Sequence, residues 1–232
     1  MATWGTPGTG IGQLQDPGAL ALDGQGNLYV SDYYNNEVKK FDSTGKFLTE
    51  WSSNLSGAKQ PSNHEGIAVD KAGNVFVVDP DDRWIEKFDT NGKLLTRWGS
   101  FGPGPSQFDH PAGIAVDGQG DVYVADTLHS RVQKFDNNGK FLSQLGSYGS
   151  ADGQFDNPEG LNVDSQGNVY VADTDNNRVE KFDSTGNLLG KWGSFGSGNG
   201  QLYHPLGLVI DTQGNIFVTD NGNERIQKFL QR

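Results

Sequence analysis

The stretch that decides the fold is residues 111–145, which read PAGIAVDGQGDVYVADTLHSRVQKFDNNGKFLSQL. Residues 113–116 form a short, nearly all-apolar run, which predicts a strand buried on both faces. Residues 122–126 are β-branched and aromatic, and residues 131–135 alternate between apolar and polar types. Turns containing glycine separate these segments. With residues 140–145 as the outermost strand, the stretch predicts four antiparallel strands that run from a buried to an exposed edge.

The same pattern occurs five times, with a constant spacing of 47 residues. The copies begin near residues 17, 64, 111, 158 and 205, and their anchor aspartates follow in phase at Asp23, Asp70, Asp117, Asp164 and Asp211. A repeat of this length, made of several short strands, is typical of a propeller blade. We therefore predict a single all-β domain over residues 1–232, a five-bladed β-propeller of four-stranded antiparallel blades.

The two ends of the chain predict how the ring closes. The last copy stops after its third strand, whereas Trp4 lies 47 residues before Trp51 and so has the phase of a fourth strand. We expect residues 1–6 to complete the last blade, which closes the ring and covers two sheet edges that would promote aggregation. This arrangement is a monomer. Exchange of the strand between two chains is the alternative.

Composition limits the class of protein. A chain of 232 residues can bury a sizeable core, and its lack of cysteine leaves neither disulfides nor thiolate metal sites. No apolar run approaches the length of a membrane span, and the N-terminus lacks the features of a signal peptide, so we expect a soluble domain that does not bind membranes, in an unknown compartment. The net charge of -11 comes largely from aspartates that recur in every copy. It opposes binding to nucleic acid.

The repeat resembles a known family. Residues 158–164, 167–173 and 176–183 carry the pattern Pro-x-Gly-[Ile/Leu]-x-[Val/Ile]-Asp, Gly-Asn-Val-Tyr-Val-Ala-Asp and Asn-Asn-Arg-Val-x-Lys-Phe-Asp, which resembles NHL repeats. The resemblance covers the whole chain and implies the propeller fold. NHL-like propellers include protein-binding and RNA-binding modules, bacterial sensor domains and a zinc-dependent peptide-amidating lyase, so it implies no single activity. The family's closed rings usually have six blades, and this chain supplies five.

Features that recur in every copy are explained by building a blade. Trp4, Trp51, Trp98 and Trp192 share one repeat phase, and we expect them to pack between blades. The aspartates that end the second strands are expected to bond the adjoining turns. Residues 173–177 begin like a calcium-binding loop but lack its later glycine and glutamate, so calcium is only a weak alternative. No nucleophile-elbow or zinc-protease motif is present.

Departures from the repeat point to a binding surface. Copy one carries Tyr33-Tyr34-Asn35-Asn36-Glu37, copy two carries Pro80-Asp81-Asp82-Arg83-Trp84, and the loop between them, residues 52–65, has lost its aromatics and all of its glycines except Gly57. All three segments fall on one face of the disc, here called the top face, on neighbouring blades. Aromatics beside charged groups are typical of binding hot spots. We predict a non-catalytic module that binds a protein or peptide on the top of blades 1 and 2. The expected binding residues are Tyr33, Tyr34, Glu37, His64, Glu65, Arg83 and Trp84.

The histidines support an alternative function. His110 and His204 share a phase just before the strand that lines the axis, His64 lies one residue later in its copy, and Glu65 and Glu159 share a phase near the channel mouth. Imidazoles and carboxylates at this place can bind zinc or transfer protons. The alternative is therefore a metal-dependent lyase or hydrolase with His64, His110 and His204 as ligands. The leading hypothesis needs no cofactor and no catalytic residue. A symmetric or engineered scaffold without a natural ligand is the third alternative.

Overall fold

The computed structural model describes residues 3–52 and 66–230. These residues form nineteen β-strands and two one-turn 3-10 helices, arranged as five antiparallel sheets. Each sheet is one copy of the repeat, so the predicted all-β, five-bladed propeller is confirmed. The described part of the chain contains no helix that is long and apolar enough to cross a membrane.

The strands of each blade follow one another in chain order, and four of the five sheets have four strands. Blade 1 contains β1 (Pro17–Leu22), β2 (Leu28–Asp32), β3 (Glu37–Phe41) and β4 (Phe47–Ser52). Blade 2 contains β5 (Ile67–Val69), β6 (Val75–Asp79), β7 (Trp84–Phe88) and β8 (Leu94–Gly99). Blade 3 contains β9 (Pro111–Val116), β10 (Val122–Asp126), β11 (Arg131–Phe135) and β12 (Phe141–Leu145). Blade 4 contains β13 (Pro158–Val163), β14 (Val169–Asp173), β15 (Arg178–Phe182) and β16 (Leu188–Trp192), and blade 5 contains β17 (Pro205–Ile210), β18 (Ile216–Asp220) and β19 (Arg225–Phe229).

The first turn of each blade is fixed by its anchor aspartate. In blade 1, the Asp23 carboxylate accepts bonds from the backbone N–H groups of Gln25 and Asn27, both at 2.9 Å. Gly26 lies between them at a φ of +80°, a conformation that strongly favours glycine. The other four copies repeat these bonds. The local sequence therefore dictates this hairpin in every blade.

The recurrent tryptophans pack between blades, as the sequence predicts. The Trp51 ring contacts Tyr29 of its own blade and Phe88 of blade 2, with centroid distances of 6.3 and 6.0 Å. Trp98 likewise contacts Phe76 and Phe135, at 6.3 and 5.8 Å. These rings join the apolar faces of successive blades, and burying them supplies much of the energy that holds the sheets together.

The predicted closing strand is not present. Within residues 3–230 of the described structure, β19 has no neighbour beyond β18. Residues 3–6 lie outside any strand, and Pro7 forms only an isolated bridge with Leu14. The prediction that the N-terminal segment completes the last blade is therefore wrong for these residues. The physical reason is that the segment packs on blade 1, where Trp4 covers Gly45, and that among the described residues β1 and β17 lack the extensive contact that joins the first strands of the other successive blades.

The two ends of the blade series are consequently exposed. Successive blades pack through β1 and β5, β5 and β9, β9 and β13, and β13 and β17, whereas β1 and β17 form no comparable contact. Leu20 of β1 is 63% exposed, although the residues of the same phase in the other four blades are 6–7% exposed. Ile226 of β19 is 71% exposed. The five described blades thus leave a seam between blade 5 and blade 1.

Candidate functional site

Buried aspartates hold the loops of the top face in place. The Asp126 carboxylate accepts bonds from the backbone N–H of Asp109 and from Nε of Arg131, both at 2.8 Å, and from the Gln133 amide at 3.1 Å. Asp173 and Asp220 do the same in blades 4 and 5. As expected, these second-strand aspartates bond their own turns, Asp173 through Asn176 and Asp220 through Asn223, and they also fasten the return loop that precedes each of blades 3, 4 and 5. Asp79 of blade 2 likewise bonds the turn N–H groups of Asp81 and Asp82.

Three return loops present an exposed aromatic side chain at the same repeat phase. Phe101, Tyr148 and Phe195 share a repeat phase and are 65%, 73% and 68% exposed. We call them the loop-tip aromatics. Seven residues after Phe101 and Tyr148, the side chains of Phe108 and Phe155 are fully buried and anchor the same loops in the core. The loop-tip aromatics were not among the predicted site residues, because residues that recur in every copy are expected to build the blades. Their position among loop glycines, outside any strand pattern, was the available signal.

Trp84 replaces an arginine that blades 3, 4 and 5 use structurally. Arg131, Arg178 and Arg225 each bond the buried second-strand aspartate through Nε. Nε1 of Trp84 donates to Oδ2 of Asp79 at 3.0 Å, and the Arg97 guanidinium lies 4.0 Å from the indole ring. Trp84 is therefore a half-buried support of blade 2, not a free anchor.

The other predicted binding residues occupy two places. Tyr33 is buried and hydrogen-bonds the Asp81 side chain, whereas Tyr34 packs edge-on against Tyr33 at 5.8 Å and is 44% exposed. Arg83 donates to the Asp81 carbonyl at 2.6 Å and lies 5.2 Å from the Phe101 ring. The structure thus brings Tyr33, Tyr34 and Arg83 together around Asp81. Glu37 instead forms an ion pair with the buried Lys39. His64 and Glu65 lie outside the described residues.

Acidic groups surround the channel mouth. Burial raises the pKa of Asp81, and neighbouring Asp82 raises it further, against the opposing effects of His110 and Arg83. On the other side of the axis, burial raises the pKa of Glu159, and the Asp175 carboxylate adds to this effect. Nδ1 of His204 lies 3.3 Å from Oδ1 of Asp175. The top face therefore combines a negatively charged mouth with an aromatic rim.

The mouth opens into a cavity of about 380 Å³ along the axis. Its wall includes Glu159 and the glycines at positions 66, 113, 160 and 207. A side chain on Gly160 would lie 2.1 Å from the Leu206 carbonyl oxygen, and one on Gly113 would lie 2.2 Å from that of Glu159. Glycine is thus required at positions 66, 113 and 160, because neighbouring backbones approach closely there. Glu159 is the carboxyl group that this wall contributes.

The histidines do not assemble a metal centre among the residues that the structure describes, since no three or more histidine, aspartate or glutamate side chains are grouped for an ion there. His110 lies near Asp81, His204 pairs with Asp175, and His129 bonds the buried Asp126 at 3.0 Å. The carboxylates of the calcium-like segment are likewise engaged, Asp173 by Arg178 and Asn176. The third proposed zinc ligand, His64, falls in the part of the chain that is not described.

Two family models match parts of the chain. The NHL repeat model matches residues 14–41 and 202–229, and the model of the SMP-30/gluconolactonase/LRE-like region matches residues 106–197. The resemblance to NHL repeats is therefore confirmed. No curated protein has a detectable sequence match to this chain.

Solved structures of the same fold include enzymes. A streptogramin B lyase has a TM-score of 0.64 at 16% identity, covering 92% of this chain and 68% of that chain. A catalytically inactive histidine-to-alanine variant of virginiamycin B lyase from Staphylococcus aureus, with quinupristin, has a TM-score of 0.67 at 13% identity, covering 97% and 72%. A protein of unknown function from Bacteroides thetaiotaomicron VPI-5482 has a TM-score of 0.70 at 17% identity, covering 95% of this chain and 60% of that chain. At these identities the likeness shows the fold alone.

Proposed function

We propose that this NHL-repeat propeller is a non-catalytic recognition module whose top face binds an extended, positively charged peptide segment of a partner protein. The observation that carries the proposal is the set of three loop-tip aromatics, Phe101, Tyr148 and Phe195, which remain 65–73% exposed at one repeat phase. Large exposed apolar groups that do not support the fold mark interaction sites. Aromatic side chains also dominate binding energy at interfaces.

The loops hold these aromatics in fixed positions. In the loop of Phe101, the carbonyls of Gly104 and Gln107 both accept bonds from the Arg131 guanidinium, at 2.9 Å. Arg178 and Arg225 bond the next two loops in the same way. A surface that is already ordered loses little conformational entropy when a partner binds. The regular repeat spacing therefore suits an extended ligand that contacts successive loops.

Charge supports a cationic partner. Asp81, Asp82 and Asp109 lie near the rim at blades 2 and 3, and Asp175 and Glu159 lie at the mouth on the side of blades 4 and 5. The net charge of the chain is -11. Complementary charge increases the association rate and disfavours acidic competitors. Tyr34 and Arg83 extend the surface toward blade 1, so the predicted region on blades 1 and 2 becomes one flank of a wider site.

A selection from random peptides tests this proposal. We expect peptides that bind the chain to be rich in lysine or arginine together with apolar residues. The triple variant Phe101→Ala, Tyr148→Ala, Phe195→Ala should weaken binding of a selected peptide by roughly 100-fold or more, as expected for loss of hot-spot contacts.

The matched control is the triple variant Leu48→Ala, Leu142→Ala, Leu189→Ala. These leucines also share one phase and are 44–54% exposed, but they lie on the outermost strands. The control should bind as the unmodified chain does. Equal affinity of the aromatic triple variant, or selection of acidic peptides, would refute the proposal.

One observation supports a second candidate, proton-transfer catalysis of a lyase or hydrolase type at the channel mouth. His204 pairs with Asp175, and Glu159, whose pKa is raised by burial, faces the axial cavity. An imidazole near a carboxyl group whose pKa is raised can act with it as base and acid. The test is to incubate the chain with quinupristin, with and without zinc, and to follow its chromatographic retention. Conversion that disappears in His204→Ala supports catalysis, and an unchanged substrate rejects it for this compound.

A further inference from the structure

The wall of the axial cavity contains two rings of residues that share a repeat phase. The described members of the first ring that line the cavity are Gly18, Ala112, Glu159 and Leu206. The second ring is one residue further along each copy and consists of Ala19, Gly66, Gly113, Gly160 and Gly207. The second ring therefore carries only one side chain, the methyl group of Ala19. Glu159 is the one charged residue among these described positions.

The carboxyl group of Glu159 is half-buried and lacks a direct partner. Asp175 and His204 act on it through their charge, but it accepts no hydrogen bond within residues 3–52 and 66–230. The buried Asp173 nearby is bonded instead, by Nε of Arg178 at 2.7 Å. A carboxyl group that is held partly away from water without a hydrogen bond is unfavourable. A bound cation would supply the missing partner.

The rest of the wall limits the kind of cation that fits. The cavity of about 380 Å³ is lined mainly by glycine backbone, alanine methyl groups and the Leu206 side chain. Its size is in the range of ligand pockets. A lysine side chain matches this lining, because its methylene groups pack on apolar surface and only its end is charged. Arginine would bring five N–H donors, which is more than the Glu159 carboxyl group can accept.

A line of aromatic rings leads from the rim of the top face to this cavity. Phe195, one of the loop-tip aromatics, packs edge-on against Tyr203 at 5.5 Å, and Tyr203 packs against the His204 ring at 4.8 Å. Blades 3 and 4 carry an aspartate at the phase of Tyr203, so this line is particular to blade 5. His204 in turn pairs with Asp175 beside Glu159. A peptide that packs on Phe195 can therefore continue inward to the mouth.

We propose that the axial cavity is the specificity pocket of the recognition module and takes one lysine side chain of the bound peptide, whose ammonium group pairs with the Glu159 carboxylate. This inference rests on the proposed peptide-binding function and adds the side chain that the site selects. The loop-tip aromatics supply affinity along the peptide, while the cavity distinguishes one residue of its sequence.

A double-mutant cycle between protein and peptide tests the inference. In a peptide obtained by the selection described above, each lysine in turn is replaced by norleucine, which keeps the carbon chain and removes the charge. One such replacement should weaken binding to the unmodified protein by roughly 10-fold or more, as expected when one member of a desolvated charge pair is lost. The same replacement should have almost no effect on binding to Glu159→Gln. Isothermal titration calorimetry gives the four affinities.

Two further variants separate charge from shape. Glu224→Gln is the matched control, because it removes the same charge from an exposed glutamate between β18 and β19 that does not line the cavity. It should preserve the effect of the norleucine replacement. Ala112→Leu reduces the cavity without changing charge and introduces the residue that blade 5 carries at the same phase, Leu206. It should weaken binding of the lysine peptide by roughly 10-fold, with a melting temperature close to that of the unmodified chain.

The possible failures are distinct. If a peptide binds and needs the loop-tip aromatics, but every norleucine replacement acts equally on the unmodified protein and on Glu159→Gln, the inference is overturned while the proposed function stands. A loss in Glu159→Gln without a loss in Ala112→Leu would place the lysine outside the cavity and would also overturn it. If the selection yields no binding peptide, the proposed function itself is rejected, and this inference with it.

Discussion

The third strand of every blade carries a polar side chain at one repeat phase beneath the return loop. In blade 3 this residue is Gln133, whose oxygen accepts from the Ser106 N–H at 3.0 Å and whose amide donates to the Gln107 carbonyl at 2.7 Å. In blade 4 it is Glu180, which is fully buried. Oε1 of Glu180 accepts from the Gly153 N–H at 3.4 Å, while Oε2 has no hydrogen-bond partner in the described structure. A carboxylate cannot donate as the glutamine does, but a protonated carboxyl group can.

Burial raises the pKa of Glu180 from 4.5 to about 7, and Asp173 and Asp152 raise it further, while Arg178 opposes the shift. Lys191, which faces Glu180 across the sheet, is paired with Asp152. Because the folded pKa lies above the unfolded value, the folded state retains a proton that the unfolded chain releases. The contribution of this Glu180 proton to the stability of the folded state is complete below pH 4.5 and is lost as the pH rises through about 7. Glu86, at the same phase in blade 2, shows the same shift to about 7.

Glu180→Gln should therefore stabilise the protein above neutral pH. The glutamine amide donates at every pH, so we expect the free energy of unfolding at pH 8 to rise by about 1–3 kcal/mol, with little change at pH 5. Urea unfolding at the two pH values measures this difference. Gln133→Glu is the reciprocal variant and should lose stability as the pH rises. An equal effect of Glu180→Gln at both pH values would contradict the assignment of a buried proton.

Trp84 shows why a departure from a repeat need not be a binding residue. Its indole N–H satisfies the buried Asp79, as the arginine does in three other blades. We expect Trp84→Arg to fold with nearly unchanged stability, because arginine restores the consensus bond. Trp84→Ala should cost about 1–3 kcal/mol, because it leaves part of a buried carboxylate unsatisfied. Thermal unfolding of the two variants compares them directly, and equal losses would show that the bond to Asp79 is unimportant.

At the scale of elements, one turn couples each blade to the preceding one. Gly139 lies in the turn between β11 and β12 at a φ of +84°, and a side chain there would come within 2.5 Å of the Trp98 ring. Gly186 occupies the same turn of blade 4 at a φ of +93°, but its neighbour is Leu145, at 3.6 Å. The two positions have nearly the same backbone conformation and differ in what covers them.

This pair separates backbone strain from packing. Gly186→Ala should cost about 1 kcal/mol, the strain of placing alanine in the left-handed region. Gly139→Ala carries the same strain and also displaces Trp98, so we expect a further loss of about 1–3 kcal/mol, as for overpacking of a core. Denaturant unfolding of both variants gives the difference. Equal losses would mean that the tryptophan shifts freely and does not fix the distance between blades.

The sequence predicted the elements well because their causes are local. Strands, turns and inter-blade tryptophans follow from side-chain alternation, from glycines at positive φ and from repeat phase. The loops were predicted less well, because exposure depends on what the rest of the molecule leaves uncovered. Tyr33 and Trp84 appeared to be free aromatics in the sequence, but Tyr33 is buried and Trp84 bonds Asp79. Phe101, Tyr148 and Phe195 recur at one phase and so appeared to be packing residues, but they are exposed.

At the scale of the whole molecule, the number of blades was predictable, but their closure was not. Repeat phase correctly grouped Trp4 with the recurrent tryptophans, since Trp4 covers Gly45 as Trp51 covers Gly92, although residues 3–6 form no strand. Phase does not specify which blade receives that strand, since this depends on the angle between blades, which is set by contacts such as Trp98 with Gly139. In the structure, Leu20 and Ile226 remain exposed on opposite sides of a seam between blades 1 and 5. The shape of the top face depends on this seam.

A distance across the seam tests the account most directly. The chain has no cysteine, so Gln25→Cys and Gln213→Cys can place spin labels on equivalent first turns of blades 1 and 5. Gln119→Cys with Gln166→Cys labels the same turns of the adjacent blades 3 and 4 and calibrates one blade step. Measured by pulsed electron resonance with the labelled protein highly diluted in unlabelled protein, the distance between positions 25 and 213 should clearly exceed the calibration distance. Equal distances would show a ring closed within one chain and would contradict the open seam.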